Sequence, residues 1–174
     1  MSNPVLSAIA DRRSIRAYWP QPPTDEQVDA LLAAAVAAPS ARNAQPWHFS
    51  VTRNTALLAE INAETTQQIG EDLGDIFYGA PLVIFLSCEA AGRWARLDCG
   101  IAVQTLALAA HALGLGSVIL GLPDTAFTGP RGEEFNRRLK FPPGHSFAVA
   151  IAIGVPAASK EAHPLEPNRI DLID

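Results

Sequence analysis

What this chain has little of narrows it first. There are only two cysteines in its 174 residues, Cys88 and Cys99. Neither has CxxC or histidine spacing, which argues against zinc and any other metal site and makes a reduced, cytoplasmic setting the expectation. Charged residues make up just 18% and the net charge is −5, so the basic excess that nucleic acid or an anionic membrane would call for is missing. No apolar run is long enough to span a bilayer: the greasiest stretch, residues 101–120, is broken by Gln104, His111, Gly114 and Gly116. The first twenty residues hold Asp11 and three arginines and no apolar core, so no secretory signal is expected. Conventional catalytic signatures are lacking too: there is no GxSxG, HExxH, P-loop or GxGxxG.

What the chain does have is core. Hydrophobic residues reach 48%, and the length suits one domain over residues 1–174. Asn3-Pro4 reads as a cap and first residue of a short helix ending near Arg12, with Val5, Leu6 and Ile9 turned inward. Thr24 to Gln27 fits a capping box ahead of a second helix, which Pro39 stops. A strand is expected over Trp47–Thr52, a helix over 55–69, and a doubly buried strand in "APLVIFLSC". A long, centrally placed helix from Trp94 to Leu113 follows, then a strand in "SVIL", a helix near Pro130–Leu139 and a last strand in "SFAVAIAIG". Strands separated by long helices imply an α+β fold, a central mixed β-sheet flanked by helices. The tail's "IDLI" is a candidate edge strand for this chain's sheet or a partner's. The apolar excess points to an extensive self-interface.

One cluster runs against the overall charge. "DRRSIRAYW" puts Arg12, Arg13 and Arg16 within five positions around Ser14. Guanidinium groups grip phosphate bidentately and stay charged, and a helical turn would let two of them converge, so the cluster suits one small anion. Solvated surface arginines are the bland alternative. Cys88 and Cys99 lie in apolar surroundings and read as inert core thiols; His48, His111 and Trp47 read as packing residues.

Taken in order, "RRSIRAY", "AAVAAPSARNAQPWHF", "YGAPLVIFLSC", "DCGIAVQTLALAAHALGLGSVILG" and "AIAIGVP" resemble the FMN-dependent nitroreductase family over about residues 7–167. The resemblance implies an intertwined homodimer with two FMN molecules in the interface. Arg12, Ser14 and Arg16 would then hold the phosphate and ribityl chain, with Arg13 near the polar edge of the ring. Pro39, Ser40 and Asn43 would come from the other subunit, and the backbone at Leu120 and Gly121 would approach the ring. The family also brings a basic pair from the tail to the phosphate. Here those positions are Lys160 and His163, and Arg169 matches neither. A titrating histidine there would loosen the grip on FMN as pH rises. No side chain need be catalytic, because the flavin carries the chemistry. The implied activity is ping-pong hydride transfer from NAD(P)H to nitroaromatics, quinones or similar flat acceptors. Flavin fragmentation, reductive dehalogenation, or non-catalytic flavin binding and sensing stay open as alternatives. Residues 62–79 and 124–132 would shape the acceptor pocket, with Phe77, Tyr78 and Phe127 as stacking candidates.

Overall fold

One strand is buried on both sides, and its side chains alternate between two cores. The computed structural model describes residues 3–162 and 169–173. At its centre is β2 (Leu82–Glu89), buried at every position except Glu89. It pairs with β1 (Trp47–Thr52) on one side and β4 (His145–Gly154) on the other; β3 (Gly116–Leu120) lies outside β4, giving the order β1-β2-β4-β3. Leu82 stands opposite Ile153 and Ile84 opposite Ile151, so aliphatic rows cross the sheet.

The fold is α+β with helices on both faces, as expected, but the named strands pair antiparallel throughout. A strand, a long helix and another strand read as a parallel crossover. Here β2 and β3 do run in the same direction, yet β4 inserts between them and opposes both. Among the described residues the parallel component is confined to one isolated bridge, Ser14 to Ser117.

Period two sends the residues of β2 to opposite sides. Leu82, Ile84, Leu86 and Cys88 join Ile151 and Ile153 under α4 (Ala95–Ala112), against which α2 (Asp25–Val36) packs through Leu31 and Ala35. Helix α4 presents Ala95, Ala102, Ala107 and Ala110 among its buried residues, and such small side chains let it lie close to the sheet. Val83 and Phe85 face the other way, towards α3 (Thr55–Ile69), α5 (Asp124–Thr128) and α6 (Gly132–Arg138). That core is aromatic: Phe127 stacks on Phe147 with centroids 4.7 Å apart, and Phe85 meets Phe77, Phe127 and Phe147 edge-on. Phe77 and Phe127 are thus core residues rather than exposed stacking platforms.

Helix starts follow the sequence. Asn3 Oδ1 accepts from the N–H groups of Val5 and Leu6 at the head of α1 (Pro4–Asp11), and Thr24 and Gln27 complete a reciprocal capping box. One expectation is overturned. No residue of α1 is buried: Val5, Leu6 and Ile9 are 63%, 64% and 51% exposed, because among the described residues no element covers the helix's apolar side. Residues 170–173 add no strand to this chain's own sheet, and Leu172 and Ile173 are almost fully exposed. Helix α5 was not foreseen; its five residues are too few to show a period. Cys88 and Cys99 are free and buried; a hydrogen bond to Cys88, together with burial, keeps the Cys99 thiol well above the usual range.

Candidate functional site

The arginine cluster lies beyond α1, on an extended segment rather than a helical turn. Arg12 leaves the helix with φ −57° and ψ 132°. The chain then runs across the start of β3 and the end of β4. Ile15 N–H donates to the Ser117 carbonyl, Trp19 N–H to Val155, and Ala157 N–H to Ala17, each at 2.9 Å. Two glycines make room. A Cβ at Gly116 would sit 3.1 Å from Ile15 and Pro156, and one at Gly154 would sit 2.8 Å from Pro81 and 3.0 Å from Tyr18. Tyr18 donates to the Ile15 carbonyl at 2.6 Å, and burial raises its phenol far above the usual range, so it stays protonated.

The geometry separates the three arginines. Arg13 folds back, its NH1 donating to the carbonyls of Ala10 and Arg12 at 2.6 and 2.9 Å, and so closes the end of α1. Arg16 lies over the ring of Tyr78, 5.8 Å from its centroid, and Tyr78 is itself held at φ 58°. The Nε atoms of Arg12 and Arg13 are buried without a hydrogen-bond partner among the described residues. A buried, unsatisfied charged donor costs more than the roughly 1–3 kcal/mol of a neutral one.

Arg12, Arg13 and Lys160 line two adjoining cavities. One, of about 350 Å³, is closed by His111, Gly114–Ser117, Pro156 and Ser159; the other, of about 600 Å³, by Ile9, Ala10, Ser14 and Glu161. The structure therefore brings Arg12, Arg13, Ser14 and Lys160 together. His163 lies outside the described residues. His111, in the last turn of α4, is a wall residue that sequence reasoning took for a packing histidine.

Leu120 and Gly121 stand at the far end of β3 from Gly116. At about 3.3 Å per residue, Leu120 is roughly 13 Å away. A Cβ on Gly121 would meet nothing within 4 Å, so no neighbour in this chain requires a glycine there.

Pro39, Ser40 and Asn43 belong to a loop elsewhere. The Ala41 N–H donates at 3.0 Å to Oδ1 of Asp98, in the first turn of α4, whereas His111 ends the same helix. At 1.5 Å per residue that puts roughly 20 Å of helix between the loop and the arginine cavities. Asp98, 3% exposed, is the second functional candidate missed from the sequence. Its signal was an acid amid the apolar run of a central helix.

A third cavity, of about 560 Å³, lies against Pro20, Pro81 and Phe77 and is partly walled by residues 62–79. Several of its polar groups are already committed: Asn62 bonds Gly74 and Ile76, Asp75 bonds Phe77 and Gly79, and Arg53 pairs with Asp25. Among the described residues no His, Cys, Asp and Glu side chains group as a metal site, and no helix is long and apolar enough to cross a membrane.

Known proteins share the sequence pattern and the fold. Residues 9–155 match the profile described as Nitroreductase family. A protein of Methanothermobacter thermautotrophicus, named as a candidate NADH dehydrogenase/NAD(P)H nitroreductase, is 38% identical over 97% of this chain and 86% of its own length. A crystal structure of a nitroreductase with bound FMN from Desulfitobacterium hafniense DCB-2 superposes with a TM-score of 0.92 at 34% identity, covering 100% of both chains. A second nitroreductase with bound FMN, from Bacteroides fragilis, superposes with a TM-score of 0.90 at 26% identity, covering 99% of this chain and 100% of its own.

Proposed function

Because this chain belongs to the nitroreductase family, we propose that it is an FMN-dependent NAD(P)H oxidoreductase reducing flat acceptors such as nitroaromatics or quinones. The observation that carries the reading is the pair of buried, unpartnered arginine nitrogens beside Lys160 at one end of β3, with space open at Gly121 at the other. Those donors fit a phosphate, and the strand length between them fits a nucleotide-sized ligand.

In this reading Arg12, Ser14, Arg16 and Lys160, joined by His163, hold the phosphate and ribityl chain. Arg13 gives one side of its guanidinium to the helix end and keeps Nε for the ligand. Leu120 and Gly121 offer backbone to the ring, and donors along its pyrimidine edge stabilise negative charge there. Pro39, Ser40 and Asn43 act on the flavin of a second subunit; the roughly 20 Å between that loop and the same chain's arginines supports such a division. The dimer would also cover the exposed apolar side of α1 and the residues 170–173. Bound flavin supplies the hydride transfer, with reduced nicotinamide and acceptor using the same place in turn. The protein binds, orients and keeps water away. Its two unpaired thiols suit the reducing cytoplasm.

The test is the visible spectrum of purified protein before and after anaerobic addition of NADH or NADPH. A yellow protein that bleaches is the expected result. Colourless protein that takes up no added FMN overturns the reading. Product analysis with a nitroaromatic separates reduction from flavin fragmentation and dehalogenation, and sedimentation that shows only monomer at micromolar concentration counts against the shared site.

A further inference from the structure

The loop after α2 has a backbone that its own residues disfavour. Arg42, Asn43 and Gln45 have φ of 56°, 56° and 48°, in the left-handed region that asparagine tolerates but that strains arginine and glutamine. Gln45 also precedes Pro46, a position that prefers extended backbone. Residues 42–45 are exposed, so apolar packing does not impose this shape. Local bonds tie the loop to itself: Gln45 N–H donates to Ser40 Oγ at 2.9 Å, and Gln45 Nε2 to Asn43 Oδ1 at 3.1 Å.

The tie to the rest of the fold is the bond from Ala41 N–H to Asp98 Oδ1 at 3.0 Å, spanning 57 positions of sequence. Asp98 sits between Ala95 and Cys99 on the buried stripe of α4, so its backbone is fixed by the core. A carboxylate is costly to bury, and a charge-assisted bond to a loop amide is a reason to keep one there. Strain of this kind persists only where the surroundings hold it, and it concentrates where geometry serves function.

We propose that Asp98 is a positioning residue: its buried carboxylate fixes the 39–45 loop in the strained form in which it meets the partner subunit's flavin. The proposal rests on the functional reading above, which assigns Pro39, Ser40 and Asn43 to that contact.

Three variants test it from both ends of the bond. Asp98→Ala removes the acceptor. Ala41→Pro removes the donor and leaves the acid; Ser40, at φ −139° and ψ 156°, already has the extended backbone that a following proline needs. Asp98→Asn keeps an oxygen acceptor in place. FMN affinity is read by flavin fluorescence, the bound flavin by its visible spectrum, and folding by the thermal midpoint. Asp98→Ala and Ala41→Pro are expected to weaken FMN binding about tenfold or more and to shift the bound spectrum, with Asp98→Asn close to wild type. Should Asp98→Ala fail to fold, Ala41→Pro decides. Wild-type affinity and spectrum in Ala41→Pro, or an Asp98→Asn that loses as much as Asp98→Ala, overturns the proposal while the functional reading stands. Wild-type protein that takes up no FMN overturns the functional reading, and this proposal with it.

Discussion

Two stretches outside the core carry most of the candidate site residues, and they are held in opposite ways. Residues 12–19 are stitched by backbone bonds to β3 and to the chain just past β4, and sit against Gly116 and Gly154, which have no side chain to spare. Residues 39–45 stand proud of the surface with three left-handed residues and hang on Asp98. The first is part of the sheet's architecture and can present charges without adjusting. The second is an exposed projection whose shape depends on one buried carboxylate.

The heaviest blow to the stitched segment is removal of its charges. Arg12→Ala with Arg16→Ala is expected to weaken FMN binding at least about a hundredfold, since each charge-assisted contact is worth roughly tenfold or more. Calorimetric titration with FMN measures this, and unchanged affinity would sink the functional reading. Gly116→Val attacks the same segment through space, because its branches must displace Ile15 or Pro156. A stability loss of about 1–3 kcal/mol in chemical unfolding is expected, with FMN affinity down about tenfold. Arg42→Gly goes the other way in the loop: glycine relieves the left-handed strain, so stability should hold or rise by up to about 1 kcal/mol. Equal damage from both glycine exchanges would erase the contrast.

The smallest expected effect is a control remote from both stretches. Glu60 accepts from Arg131 and Arg138, and these bonds, Arg138 foremost, hold its carboxyl at about 2. A depressed carboxyl stabilises above its unfolded value of 4.5, and that contribution fades as pH falls towards about 2. Glu60→Gln should lower the thermal midpoint slightly at neutral pH, lose that difference in acid, and leave FMN binding alone.

Much of this was legible in the sequence because it is local. Capping at Asn3 and Thr24, the apolar run of β2 and the long α4 are written in adjacent residues. The arginine cluster was found by its charge, although its conformation was misread: Arg12 is already extended, and nothing in "RRSIR" announces a bridge to Ser117. Strand order was hidden because β4, last in sequence, inserts between β2 and β3. Asp98 and His111 were passed over for the same reason. Their partners, Ala41 and the Arg12–Lys160 cavity, are distant in sequence and adjacent only once the chain is folded.

One rod touches both stretches. Helix α4, bedded on the sheet through its alanines, ends at the anion cavity and begins beneath the loop. Its length therefore works as a ruler: the same alanine-lined packing that beds the helix on the sheet also sets the distance, roughly 20 Å, between the arginine-lined cavity and the loop.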